Sequence, residues 1–180
     1  MEKPKVATVW LEGCSGCHMS FLDLDEGLLD VLSAVELTHT PVTDFKDYDF
    51  PEAVLGIIEG AVGNEEQVEI IHKLRRKCQL LMAWGDCAVF GGINSMRNHI
   101  DKEVLLRRGY VETESTVDGR VPDDPEVPEL LPRVLAANEV VNVEIFVPGC
   151  PPSPEAIAYA LTEILKGRTP TLPADVMHFD

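Results

Sequence analysis

The chain has 180 residues, 45% of them hydrophobic and 26% charged, with a formal net charge of -16. This length and composition suit one substantial buried core and exclude the apolar-poor signature of disorder. The charge argues against a nucleic-acid or anionic-membrane partner, because phosphate binding needs clustered cations and only Arg75-Arg76-Lys77 and Arg107-Arg108 are grouped.

Lys5 to Leu11 is a short apolar, partly β-branched run that stops at Glu12-Gly13, the pattern of a buried strand entering a loop. That loop carries Cys14 and Cys17. From Met19 to Leu32 the apolar residues fall at helical spacing and predict one helix. Val35 to Val42 reads as a second strand and Ala53 to Val62 as a third, buried on both faces because its apolar run is nearly continuous. Asn64 caps a helix to about Lys77, with Glu65 and Glu66 in the first turn and three basic residues in the last, matching the helix dipole.

Cys78 to Trp84 is another buried strand, followed by GDCAVFGG, a glycine-rich loop leading into a helical region around Ile93 to Leu106. The proline- and acid-rich Val121 to Pro132 predicts an irregular surface excursion with a short helix beyond it. Asn142 to Val147 is the last strand. It ends at PGCPPSP, after which Pro154 to Lys166 predicts a closing helix stopped by Gly167, with an extended tail over 167–180. Strands alternating with helices imply an α/β fold over 1–180: a single flavodoxin-like domain with a doubly wound, mostly parallel sheet.

No apolar run approaches the roughly 20 residues needed to span a bilayer, and the opening MEKPKVATVW lacks the sections of a signal peptide, so a cytoplasmic protein is expected. In that reducing compartment five cysteines point to metal binding or redox chemistry rather than disulfides. Cys14 and Cys17 follow the first strand, Cys87 a central one and Cys150 the last. The carboxyl ends of parallel strands share one edge, so these four can converge.

Four thiolates on separate loops suit a 4Fe-4S cubane, one cysteine per iron, and the glycines beside them permit close backbone approach. Cys14-x-x-Cys17 alone leaves a dithiol oxidoreductase pair or half a zinc site open, although zinc normally brings a second close pair. Cys78 opens an apolar strand and reads as a small core hydrophobe. His18, His39, His72, His99 and His178 have no ligand-like spacing, and only His18 adjoins the cysteine site. Glu12 reads as a loop cap or a solvated side chain rather than a proton relay. The fold also admits FMN, but its phosphate loop is taken by Cys14 and Cys17.

WLEGCSGCHMSFLD, GDCAVFGG and PGCPPSP together resemble the small subunits of nickel-iron hydrogenases over roughly residues 5–166. The resemblance implies proximal-cluster ligands at Cys14, Cys17, Cys87 and Cys150, with no bond chemistry in this chain. The related 20-kilodalton-type subunit of NADH:quinone oxidoreductase typically starts its site with adjacent cysteines, so the two-residue spacing here favours hydrogenase. The chain shows neither a twin-arginine signal nor a cysteine-rich carboxyl-terminal region, which predicts a single cluster. CSGCHMSFLD is similar to the soluble, bidirectional NAD-reducing subgroup. That likeness implies a large subunit holding the nickel-iron site and diaphorase subunits with flavin and further iron-sulfur clusters.

Overall fold

A computed structural model describes residues 2–44 and 49–177. Its centre is a five-stranded sheet built from β1 (Lys5–Trp10), β2 (Glu36–His39), β3 (Ala53–Glu59), β5 (Cys78–Trp84) and β7 (Ile145–Val147). The spatial order is β2-β1-β3-β5-β7 and every pairing is parallel. Counted within this sheet, that is the flavodoxin-like order 2-1-3-4-5. A second sheet pairs β4 (Val62–Asn64) antiparallel with β6 (Leu130–Leu135).

Alternation along the strands divides the core in two, because successive side chains point to opposite faces. Ala7, Val9, Ile58, Leu81 and Ala83 face one side, covered by α3 (Glu65–Lys77), α4 (Gly85–Phe90) and α6 (Ala137–Val140). Val6, Leu55, Ile57, Met82 and Trp84 face the other, covered by α1 (Gly16–Leu22) and α7 (Pro154–Leu165). α2 (Glu26–Ala34) adds Leu28 and Val31 at the edge of that second cluster.

The expected Asn64 cap is present as a capping box: Gln67 N donates to Asn64 Oδ1 at 2.8 Å, and the Gln67 side chain accepts from Asn64 N at 3.3 Å. Cys78 is buried among core residues, as its apolar strand predicts.

Several elements differ from the sequence expectation. The single helix over Met19 to Leu32 is two, broken at Asp23–Asp25, where Asp25 adopts φ 51. Aspartate side chains compete with the helix for backbone groups, which favours a break here. The run Ala53 to Val62 is likewise two strands, turned at Gly60, whose φ is +91. GDCAVF is the helix α4 rather than a loop, with Ala88 and Val89 packed into the core. The helical region beyond it is a 3-10 helix, Gly92–His99, followed by α5 (Lys102–Tyr110).

The irregular excursion ends in a strand, β6, that includes Pro132. Proline is tolerated there because the strand pairs on one side only. The 3-10 helix is stitched to this two-stranded sheet: Arg97 donates to the carbonyls of Leu131 and Gly63, and Asn98 exchanges hydrogen bonds with Val134. The tail is not simply extended. It turns at Ala174–Val176, Leu172 and Val176 pack against the second core, and Ser153 Oγ donates to Val176 O at 3.2 Å.

Candidate functional site

Cys14 lies in the loop after β1, Cys17 is the second residue of α1, Cys87 is in the first turn of α4, and Cys150 is in the loop after β7. These segments leave the carboxyl ends of β1, β5 and β7. Their cysteines line one cavity of about 70 Å³, together with Gly13, Gly16, Glu59, Gly60, Asp86, Gly149 and Pro151. All four thiols are free. Cys17 forms the inner wall, buried, while Cys14 and Cys150 are exposed and Cys87 lies between. Placing Cys17 in a helix rather than a loop corrects the sequence expectation: α1 begins immediately after Ser15.

Close approach at the site depends on glycine. Gly85 has φ +75, and a Cβ there would lie 2.3 Å from Cys17 Sγ. Gly149 has φ +135, and a Cβ there would meet Pro152 Cα at 2.6 Å. Either side chain would deform the cysteine cradle.

The loops are tied to one another as well. Asp86 N donates to Gly149 O at 2.9 Å, Gly149 N donates to Asp86 Oδ1 at 2.8 Å, and Ser20 Oγ donates to Pro152 O at 2.6 Å. Cys17 Sγ donates to Trp84 O at 3.7 Å. The three cysteine-bearing helix and loop segments therefore form one hydrogen-bonded unit.

Burial, the charge of Glu59 and the neighbouring thiols Cys87, Cys14 and Cys150 push the Cys17 thiol far above its ordinary range. Cys87 is also raised, by burial and by Cys150, against a hydrogen bond from the Ile93 backbone. Among the described residues, no three His, Cys, Asp or Glu side chains gather as ligands of a single metal ion.

Glu59, the carboxyl group that ends the apolar strand β3, is a site residue that sequence pattern does not single out. It is 3% exposed and accepts from Cys17 N at 3.0 Å and His18 N at 3.1 Å, and it pairs with His18 Nδ1. His18 is buried and hydrogen-bonded behind the cavity. His39 is buried against Phe50, His72 and His99 are exposed, and His178 lies outside the described residues.

Glu12 is neither a cap of its own loop nor fully solvated. Its carboxyl occupies the space where Gly63 has no Cβ, with Arg97 Nε at 3.9 Å, and its carbonyl accepts from Asn94 Nδ2 at 2.6 Å. Burial raises its pKa, against the pull of Arg97.

The family model of the NADH ubiquinone oxidoreductase 20 kDa subunit matches residues 14–164. The delta chain of the NAD-reducing hydrogenase HoxS of Cupriavidus necator is 40% identical, over 99% of this chain and 86% of its own length. An F420-non-reducing hydrogenase chain of Methanococcus voltae is 42% identical over 98% of this chain, which spans 61% of that relative. A chain from the crystal structure of an NAD+-reducing [NiFe]-hydrogenase in the H2-reduced state superposes with TM-score 0.96 at 40% identity, covering 99% of this chain and all of that one. Among the described residues no helix is long and apolar enough to cross a membrane.

Proposed function

The chain belongs to the family of NADH ubiquinone oxidoreductase 20 kDa subunits, on the side of the hydrogenase small subunits, and from that premise we propose that it relays electrons in an NAD-reducing nickel-iron hydrogenase. Under this reading Cys14, Cys17, Cys87 and Cys150 hold one 4Fe-4S cluster. The observation that carries it is the meeting of these four thiols at one cavity on the carboxyl edge of the sheet.

The donor set fits the group. A cubane takes one thiolate per iron, so its ligands surround a volume rather than a point. A tetrahedral zinc ion, with Zn–S near 2.3 Å, would draw four sulfurs to within about 4 Å of one another. The lack of a side chain at Gly85 keeps the space beside Cys17 open. Bound there, the cluster supplies a one-electron carrier.

The chain's own residues hold the thiols in register, with Cys17 buried on the inner side and Cys14 and Cys150 exposed on the open side. The dithiol alternative would use Cys14 and Cys17 alone, whereas four thiols line the cavity. Flavin is not part of the proposal, since the loop after β1 that would take its phosphate carries the cysteines.

The partners are a large subunit with the nickel-iron site and diaphorase subunits with flavin and further clusters. Phe90, Ile93 and Met96, which follow Cys87 in sequence, are 66%, 70% and 67% exposed, an apolar rim suited to burial against such a subunit.

The test is anaerobic purification of the whole complex, followed by iron and acid-labile sulfide analysis, electron paramagnetic resonance of the reduced protein and hydrogen-dependent NAD reduction. Compared with wild type, the Cys87→Ser complex should lose the signal of one reduced cubane and up to four irons and four sulfides. Equal iron content and an unchanged spectrum in the two complexes would overturn the reading.

A further inference from the structure

Behind the cysteine cavity a string of buried polar side chains runs across the sheet. Glu59 ends β3 with its two carboxyl oxygens directed at the start of α1, one accepting from the Cys17 backbone and the other from that of His18. His18 pairs with the same carboxyl through Nδ1, and its Nε2 lies 2.9 Å from Thr8 Oγ1. Thr8 in turn donates to Thr40 Oγ1 at 2.8 Å. All four residues are nearly inaccessible, at 3%, 1%, 3% and 1% exposure for Glu59, His18, Thr8 and Thr40.

The imidazole has little freedom. Trp10 and Trp84 meet it edge to face, with centroids 5.4 and 5.7 Å away. Such a string is expensive to bury, and a satisfied network of this kind fixes the orientation of its members rather than adding much stability.

Its consequence for anything held by Cys17 lies in the backbone. Two backbone N–H groups beside the ligand are engaged by Glu59 and are withheld from cluster sulfur, where hydrogen bonds raise the potential.

We propose that Glu59 is a positioning residue that lowers the reduction potential of the cluster at Cys14, Cys17, Cys87 and Cys150, and that His18, pinned by Thr8, keeps its carboxyl group aimed at the Cys17 and His18 amides. This rests on the cluster reading above.

The experiment is a potentiometric titration of the anaerobically purified complex, followed by electron paramagnetic resonance, in the wild type, Glu59→Gln and Thr8→Val. Glu59→Gln keeps shape and an acceptor oxygen, so iron and sulfide content should hold while the midpoint moves to higher potential. Thr8→Val touches neither the ligands nor Glu59 and should move the midpoint the same way by less. A Glu59→Gln protein with full iron and the wild-type midpoint overturns the proposal. Should Glu59→Gln lose iron, Thr8→Val decides: a raised midpoint supports the proposal and an unmoved one overturns it. A wild-type complex with no cubane signal that Cys87→Ser removes fails differently, removing the parent reading.

Discussion

Asp86 and Gly149 exchange two hydrogen bonds, Asp86 N to Gly149 O at 2.9 Å and Gly149 N to Asp86 Oδ1 at 2.8 Å, and so fasten the helix bearing Cys87 to the loop bearing Cys150. The pair spans 63 residues of sequence and replaces, at the cavity rim, the ladder that β5 and β7 share below it. Removing the carboxyl leaves the Gly149 N–H without its partner. Asp86→Ala should therefore cost about 1–2 kcal/mol of stability and lower iron content, whereas a comparable loss at an exposed surface aspartate would cost little. Urea unfolding and iron analysis on the purified protein check this. Unchanged values for both would show that the pair does not hold the site.

The two classes of cysteine separate cleanly by environment. Cys87 lines the cavity, whereas Cys78 packs among core side chains, with its thiol pushed up to about 11 by burial against the pull of Arg75. Cys87→Ser should remove or convert the cluster and abolish hydrogen-dependent NAD reduction. Cys78→Ser should keep the full cluster spectrum and cost only about 1–3 kcal/mol for a poorly partnered buried hydroxyl. Visible absorption and paramagnetic resonance distinguish them, and an intact cubane without Cys87 would reject the ligand set.

The meeting of four distant cysteines was legible because buried parallel strands appear in the sequence as apolar runs, and their carboxyl ends share an edge by geometry alone. β1, β3, β5 and α3 were recognisable for the same reason, as was the Asn64 cap, whose partner Gln67 is only three residues away. What stayed hidden was non-local or masked by composition. Glu59 lies 42 residues from the Cys17 amide it accepts from, so its role has no local signature. β4 continues the apolar run of β3, and Pro132 disguises β6, so the small two-stranded sheet emerges only when Arg97 and Asn98 are seen stitching it down. The break between α1 and α2 needs Asp25 to leave helical space, which apolar periodicity does not report.

A second anchoring group gives a pH-dependent prediction. Arg75 at the end of α3 donates to both Glu144 oxygens, at 3.1 and 2.9 Å, and to the carbonyls of Asn142, Cys78 and Gln79, while Leu81 N donates to Glu144 Oε2 at 2.7 Å. Burial alone would raise the Glu144 carboxyl, but the Leu81 N–H and the Arg75 guanidinium outweigh it and hold the pKa below its ordinary value. A folded pKa below the unfolded one means stability fully present above about pH 4.3 and lost as pH falls through the lower folded value. Wild type should thus exceed Glu144→Gln in urea resistance at pH 7, and the gap should close in acid. A gap that stays constant from pH 7 into acid would remove Glu144 from the account.

Gly85 offers the sharpest steric test. Its φ of +75 places it where an L side chain costs roughly 1–2 kcal/mol, and an added Cβ would sit 2.3 Å from Cys17 Sγ and 3.3 Å from Gly149 O. The sulfur must move, and it belongs to the inner wall of the cavity, where it donates to Trp84 O. Gly85→Ala should lose iron far out of proportion to its loss of fold. Gly167→Ala is the matched control: that residue also has positive φ, at +71, but its Cβ would meet nothing within 4 Å. It should show the backbone cost with full iron. Equal iron content in the two variants would mean that the contact with Cys17 does not shape the cluster site.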